Sequence, residues 1–117
     1  MTNSQGSPTT APLEDLLRTP LDPLLADAAR LRAMAALIGL PAEGRIGFVA
    51  LRRLLDLTDG NLGRHLQILV EMGYADVVKE YRGRRPHSLY AATPQGRAAF
   101  AAHVAALEHI IAAAQGR

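Results

Sequence analysis

Cysteine is absent from the 117-residue chain, so neither a disulfide framework nor a thiolate site can form. Any metal would have to be held by His, carboxylate or carbonyl groups. No apolar run reaches the roughly 18 residues of a membrane span. The opening stretch MTNSQGSPTTAP has no positively charged start followed by an apolar segment, so no secretory signal is read there. There is no nucleophile motif, no phosphate-binding glycine loop and no pair of carboxylates at a cleft, which removes the basis for an enzyme. These absences predict a soluble, cytoplasmic, non-catalytic protein with no cofactor, no bound metal and no membrane partner.

What is present amounts to one domain. A hydrophobic content of 49% over 117 residues suffices for one packed core and leaves no room for a second. The net charge of +2 is too small to announce a polyanionic partner, so the distribution of charge has to be considered. Arg45 to Tyr90 carries eight Arg or Lys against five Asp or Glu, whereas Met1 to Gly44 carries three against five. The basic excess therefore sits mid-chain. Twelve of the thirteen basic residues are Arg, which suits planar contacts to phosphate and guanine, although Arg-rich, Ala-rich usage also follows from a GC-rich genome.

Residues 1–20 mix Ser, Thr, Gln, Gly and Pro with little apolar pattern, which predicts a flexible arm, with Leu13, Leu16 and Leu17 able to form one short docked turn. From Leu21 a helical period begins. Leu21, Leu24, Ala28, Leu31, Ala35 and Ile38 share one stripe, with Asp22 as cap and Pro23 in the first turn. Leu25, Met34 and Leu37 fall off that stripe, and a helix with two apolar sides needs two partners, the second being another subunit. Gly39, Pro41 and Gly44 close the helix, and Arg45 to Phe48 forms a short strand. Two short helices then meet across Leu57 to Asp59, one carrying Leu51, Leu54 and Leu55, the other Leu62, Leu66, Leu69 and Val70. That is a helix-turn-helix pattern. Tyr74–Glu80 and Ser88–Ala92 are short strands around a basic tip, and Thr93–Pro94 caps a last helix with a narrow seam of Phe100, Val104, Leu107 and Ile111.

Four motifs give this order a family likeness: RLRAMAAL at Arg30–Leu37, LTDGNLGRHLQILVEMGY at Leu57–Tyr74, YRGRRPHSLYAAT at Tyr81–Thr93 and TPQGRAAFAAHVAAL at Thr93–Leu107. Over Arg30 to about Leu107 the chain resembles the winged-helix transcriptional regulators related to the MarR and ArsR groups, in the small dimeric subgroup without a ligand domain. One departure is Ala28, where such sequences usually place a proline two residues before the RLR run. The resemblance implies a mainly α fold with a small β-hairpin, a winged helix-turn-helix of order α-β-α-α-β-β-α. Residues 21–117 would form the DNA-binding domain, including a C-terminal dimerisation helix. It further implies a bacterial, nucleoid-associated regulator that binds double-stranded DNA sequence-specifically as a homodimer.

The residues themselves point to the same chemistry. With Leu62, Leu66 and Leu69 inward, a step of about 100° per residue turns Gly60, Asn61, Arg64, Gln67, Ile68 and Glu71 outward. Arg reads guanine bidentately, and Asn or Gln reads adenine. Thr58 and Asp59 start this helix where a phosphate is favoured, and His65, which flanks its core side, is counted with them among the expected DNA-contacting residues. In the hairpin, Arg82, Arg84 and Arg85 surround Gly83, an arm suited to phosphates or a narrow minor groove. The alternatives are a solvated helix face and a charged loop kept for solubility. At the level of function they are a winged helix used for protein–protein assembly, or a regulator sensing pH or an unidentified small molecule at its dimer interface. His103 and His109 lie six residues apart, about 240° around a helix, and cannot chelate one ion from one face. The expected dimer interface comprises Leu25, Met34, Leu37, Phe100, Val104, Leu107 and Ile111.

Overall fold

Three helices begin where a short oxygen-bearing side chain stands in extended conformation. Asp27 accepts a hydrogen bond from the Arg30 N–H at 3.0 Å, Thr58 from Asn61 at 3.2 Å and Thr93 from Gly96 at 2.9 Å. Each satisfies a backbone donor that the first turn leaves without a partner. The bond from Arg30 also lowers the Asp27 carboxyl below its ordinary pKa.

The computed structural model describes residues 6–116, with side-chain surroundings from Pro12 onward. Its order is α1 (Gly6–Leu17), α2 (Ala28–Ile38), β1 (Ile46–Gly47), α3 (Phe48–Leu55), α4 (Asp59–Glu71), β2 (Ala75–Arg82), β3 (Arg85–Ala92) and α5 (Pro94–Ala114). The strands form one antiparallel sheet in the order β1-β3-β2. Leu25, Met34, Leu37, Leu51, Leu62, Leu66 and Leu69 are all at most 1% exposed and form the core between α2, α3 and α4. Burial of each contributes about 2 kcal/mol. The register pairs Val77 with Tyr90, Ala75 with Ala92 and Ile46 with Tyr90, and on this sheet face Ile46, Ala75, Tyr90 and Ala92 pack on the core. The opposite face carries Asp76, Val78, Glu80 and Arg82 of β2 with Arg85, His87, Leu89 and Ala91 of β3.

A tight junction joins the end of α4 to the start of α5. The Thr93 N–H donates to the Tyr74 carbonyl at 3.1 Å, and the Thr93 hydroxyl donates to the Gly73 carbonyl. A Cβ on Gly96 would lie 2.0 Å from the Tyr74 carbonyl oxygen, so only glycine permits this approach. The Tyr74 hydroxyl donates to Asp22 Oδ2 at 2.6 Å, and the Asp22 N–H donates to His103 Nδ1 at 3.1 Å. The turn before α2, the end of α4 and the middle of α5 are thereby tied together.

The structure corrects several expectations. Gly6–Leu17 is helical and packs on α5, so most of the segment expected to be an irregular arm has regular structure; Met1 to Gln5 lie outside the described residues. Contact with α5 offsets the weak helix propensity of this Gly- and Pro-containing stretch. The first core helix starts at Ala28, capped by Asp27, and not at the expected Pro23. Asp22 instead accepts from the Leu24 N–H at 2.8 Å in a separate turn. The buried side of that helix is also shifted: Leu31 and Ile38 of the expected stripe pack against the core, but its centre lies on residues expected to face a partner. Leu25, Met34 and Leu37 are at 0%, 0% and 1% exposure within the single chain, so they have no surface left for a second subunit. Ala28 and Ala35 of the expected core stripe are exposed. That stripe takes its phase from Leu21 and Leu24, which precede the helix and cannot set its inward face; within Ala28–Ile38 the buried residues are Ala33, Met34 and Leu37.

Candidate nucleic-acid interface

The face of α4 away from the core is set by its buried residues. Leu62, Leu66 and Leu69 point inward, which leaves Gly60, Asn61, Arg64 and Gln67 exposed on the other side. Thr58 caps the helix from an exposed position. Asp59 sits 2.8 Å from Arg52 Nε, an ion pair that links the two helices of the helix-turn-helix. The N–H direction misses the carboxylate oxygen, so this is a charge contact without a hydrogen bond. Gln67 donates to Glu71 at 3.1 Å, and its amide must leave that partner before it can read a base.

His65 does not belong to this exposed set. It is 7% exposed, with its Nδ1 3.1 Å from Arg30 Nη1. A guanidinium only donates, so Nδ1 accepts and the ring proton lies on Nε2. Arg30 also donates to the Leu24 carbonyl at 2.7 Å, and the pair braces α2 against α4. Nothing in the sequence marks this role, because His65 lies beside the buried stripe and Arg30 is 35 residues away.

The hairpin extends further than its apolar residues suggest. β2 and β3 pair through Arg82 and Arg85, leaving Gly83 and Arg84 as a two-residue turn. Gly83 has φ +65 while Arg84 is not among the residues with positive φ, which is the signature of a type II′ turn with glycine at its first central position. Arg82, Arg84 and Arg85 are all exposed. Among the described residues none of the three is paired with a carboxylate. Arg45 differs: it is held to Asp76 at 2.6 Å, anchoring β1 to the base of the hairpin.

Between the hairpin stem and α3 lies an open groove of about 730 Å³. Its walls carry Arg45, Arg53, Arg82, Arg85 and His87, and Phe48 and Leu89 contribute apolar surface. Sequence reasoning misses Arg45, Arg53 and His87 as parts of one surface. The one local signal is the adjacency of Arg52 and Arg53 on α3, which turns one toward Asp59 and the other outward.

Helix, strand, helix, helix and a β-hairpin with a basic tip make a winged helix, and the family model for the winged helix DNA-binding domain matches residues 29–111. The chain belongs to that family. Its winged helix is similar to the transcriptional regulator homologue from Pyrococcus horikoshii OT3, at 24% identity and TM-score 0.68, covering 86% of this chain and 94% of that one. It is similar to BpsR of Bordetella bronchiseptica, whose DNA binding is regulated by 6-hydroxynicotinic acid, at 20% identity and TM-score 0.62, covering 93% and 82%. It is also similar to a mutant MarR from E. coli complexed with operator DNA, at 24% identity and TM-score 0.57, covering 86% and 69%. No curated protein sequence matches the chain. At these identities the likeness to solved structures establishes the fold alone, a winged helix.

Proposed function

We propose that this winged helix is a homodimeric transcriptional regulator that reads double-stranded DNA, with α4 in the major groove and the hairpin wing on the backbone or in the minor groove. The observation that carries this reading is the Arg82–Arg85 pair. Like charges set directly opposite each other across two strands destabilise a hairpin, and here they flank a third arginine, none of the three being ion-paired among the described residues. A polyanion would convert that repulsion into binding. Gly60 and Gly63 support the same reading. A Cβ on either would meet nothing within 4 Å, so packing within the chain does not require glycine there, although each costs the helix about 1 kcal/mol relative to alanine. Bare backbone on that face suits close approach to a duplex. Asn61, Arg64 and Gln67 supply the base-reading groups, with Thr58 and Asp59 at the helix start near a phosphate. His65 acts only as a brace.

The test is fluorescence anisotropy with a random duplex and with the preferred site, at several salt concentrations. Arg84→Ala combined with Arg85→Ala should weaken binding to both duplexes alike and reduce the slope of log K against log salt by about 0.9 for each phosphate that is no longer neutralised. Unchanged affinity and slope in the double variant would remove the wing from the interface. Failure of the unmutated protein to bind any duplex would remove the DNA reading altogether.

A further inference from the structure

The basic groove beside the wing has more cationic surface than the wing tip alone accounts for. Its walls come from three separate elements: Arg53 from α3, Arg82 from β2, and Arg85 and His87 from β3. Arg53 is exposed and, among the described residues, has no carboxylate partner and no side-chain hydrogen bond. Its neighbour Arg52 already serves Asp59. Two acidic groups share this sheet face: Asp76 holds Arg45, and Glu80 stands directly across from His87 but does not line the groove. Arg82 and Arg85 also belong to the wing-tip pair, so the groove is continuous with the proposed DNA surface. No carboxylate lines it.

We infer that this groove seats a stretch of DNA backbone, and that Arg53 of the first helix of the helix-turn-helix contacts a phosphate there, beyond the contacts of α4 and the wing tip. The inference rests on the DNA-binding reading above. An open channel with cations on both walls follows the geometry of a strand passing through, because successive phosphates each need a donor and the flanking sugars tolerate apolar surface such as Phe48 and Leu89. Backbone contacts of this kind fix the register of a protein on the duplex without carrying sequence information. Arg53 would therefore set how α4 is held over the bases rather than which bases it prefers.

The experiment compares the full-length protein with Arg53→Ala and Arg53→Lys, using a random duplex and the preferred site between about 50 and 200 mM salt. Arg53→Ala should reduce the salt slope by about 0.9 per protomer bound and weaken both duplexes by roughly eight-fold per protomer at about 0.1 M salt. Arg53→Lys, which keeps the charge, should restore most of the slope. Far-ultraviolet circular dichroism should be the same for all three, since Arg53 makes no contact that supports the fold. If Arg53→Ala binds with unchanged slope while Arg84→Ala, at the wing tip and outside the groove, loses affinity, the wing touches DNA and Arg53 does not, and the inference is overturned. If the unmutated protein binds no duplex, the DNA reading fails first and the inference fails with it. Benzoate is titrated in parallel as a small anionic probe. Benzoate binding that Arg53→Ala abolishes while DNA binding stays intact would assign the groove to small anions and likewise overturn it.

Discussion

Gly96→Ala sets a helix propensity gain of about 1 kcal/mol against a methyl group placed 2.0 Å from the Tyr74 carbonyl oxygen and 2.9 Å from Met34 Cε. A flexible methionine end can move, but a backbone carbonyl held by the Thr93 N–H cannot. The clash should win, with a net loss of about 3 kcal/mol, measured as a lower urea midpoint; equal or greater stability would mean that the junction is looser than described. Tyr74 gives a second test at this scale. Its hydrogen bond to Asp22, then burial, raises the hydroxyl pKa from 10.0 to about 12. The folded state therefore holds its proton more tightly than the unfolded state, so the stabilisation is complete below pH 10 and is lost as pH rises toward about 12. Denaturation midpoints should fall across that window and should fall less steeply in Tyr74→Phe; parallel profiles would show that the Asp22 contact is not stabilising. Neither Gly96 nor His65 is intelligible from the sequence. Their surroundings come from Tyr74 and Arg30, distant along the chain, and no local pattern encodes such contacts.

The elements are legible where a cap and a period coincide. Thr58 followed by Leu62, Leu66 and Leu69 fixes both the start and the inward face of α4, and the outward face follows by rotation. The same logic misplaces α2, because Asp22-Pro23 carries the signal of a helix start equally well, and only the packed structure shows that Asp22 caps a separate turn. The wing comes out too short from the sequence for a different reason. Tyr81, Arg82, Arg85 and Pro86 lie on exposed ladder positions, where pairing continues without the apolar alternation that marks a strand. For α4 the expected behaviour is specific. Arg64 is exposed on the outward face, so Arg64→Ala should cost about 1–3 kcal/mol at the preferred site and little on random duplex. Equal losses on both, measured by anisotropy, would make Arg64 a backbone contact.

At the scale of the whole molecule, the radius of gyration of 19.1 Å and extents of 77 × 25 × 22 Å contrast with the roughly 13 Å radius of a compact chain of this length. The elongation reflects helices that project from the core. Leu13, Leu17 and Leu21 are 43%, 55% and 37% exposed, and Ile111 is 52% exposed. Of the expected seam, Phe100 packs against the core, while Val104 and Leu107 are half-buried and Ile111 is bare. α5 has the length and apolarity of a membrane span by composition, but Arg97, His103, Glu108 and His109 are spread along it, and such residues suit a protein partner better than lipid. A two-fold dimer through α1 and α5 would cover this surface. Leu17→Glu combined with Ile111→Glu tests this dimer, because both side chains are exposed within the single chain and the protomer should keep its fold. Sedimentation at micromolar concentration should show a dimer for the unmutated protein and a folded monomer for the double variant. A monomeric unmutated protein would rule out the dimer.

The junction of Gly73, Tyr74, Thr93 and Gly96 has a mechanical consequence in such a dimer. It leaves no hinge between the helix that would read bases and the helix that would join the subunits, since carbonyls at the end of α4 are bonded directly to the first residue before α5. The two helices therefore move as one bent lever. A change in the crossing angle of the paired α5 helices would be geared, undiminished, into the separation and tilt of the two α4 helices. The distance between half-sites that the protein can grip would then be set at the subunit contact, far from any base.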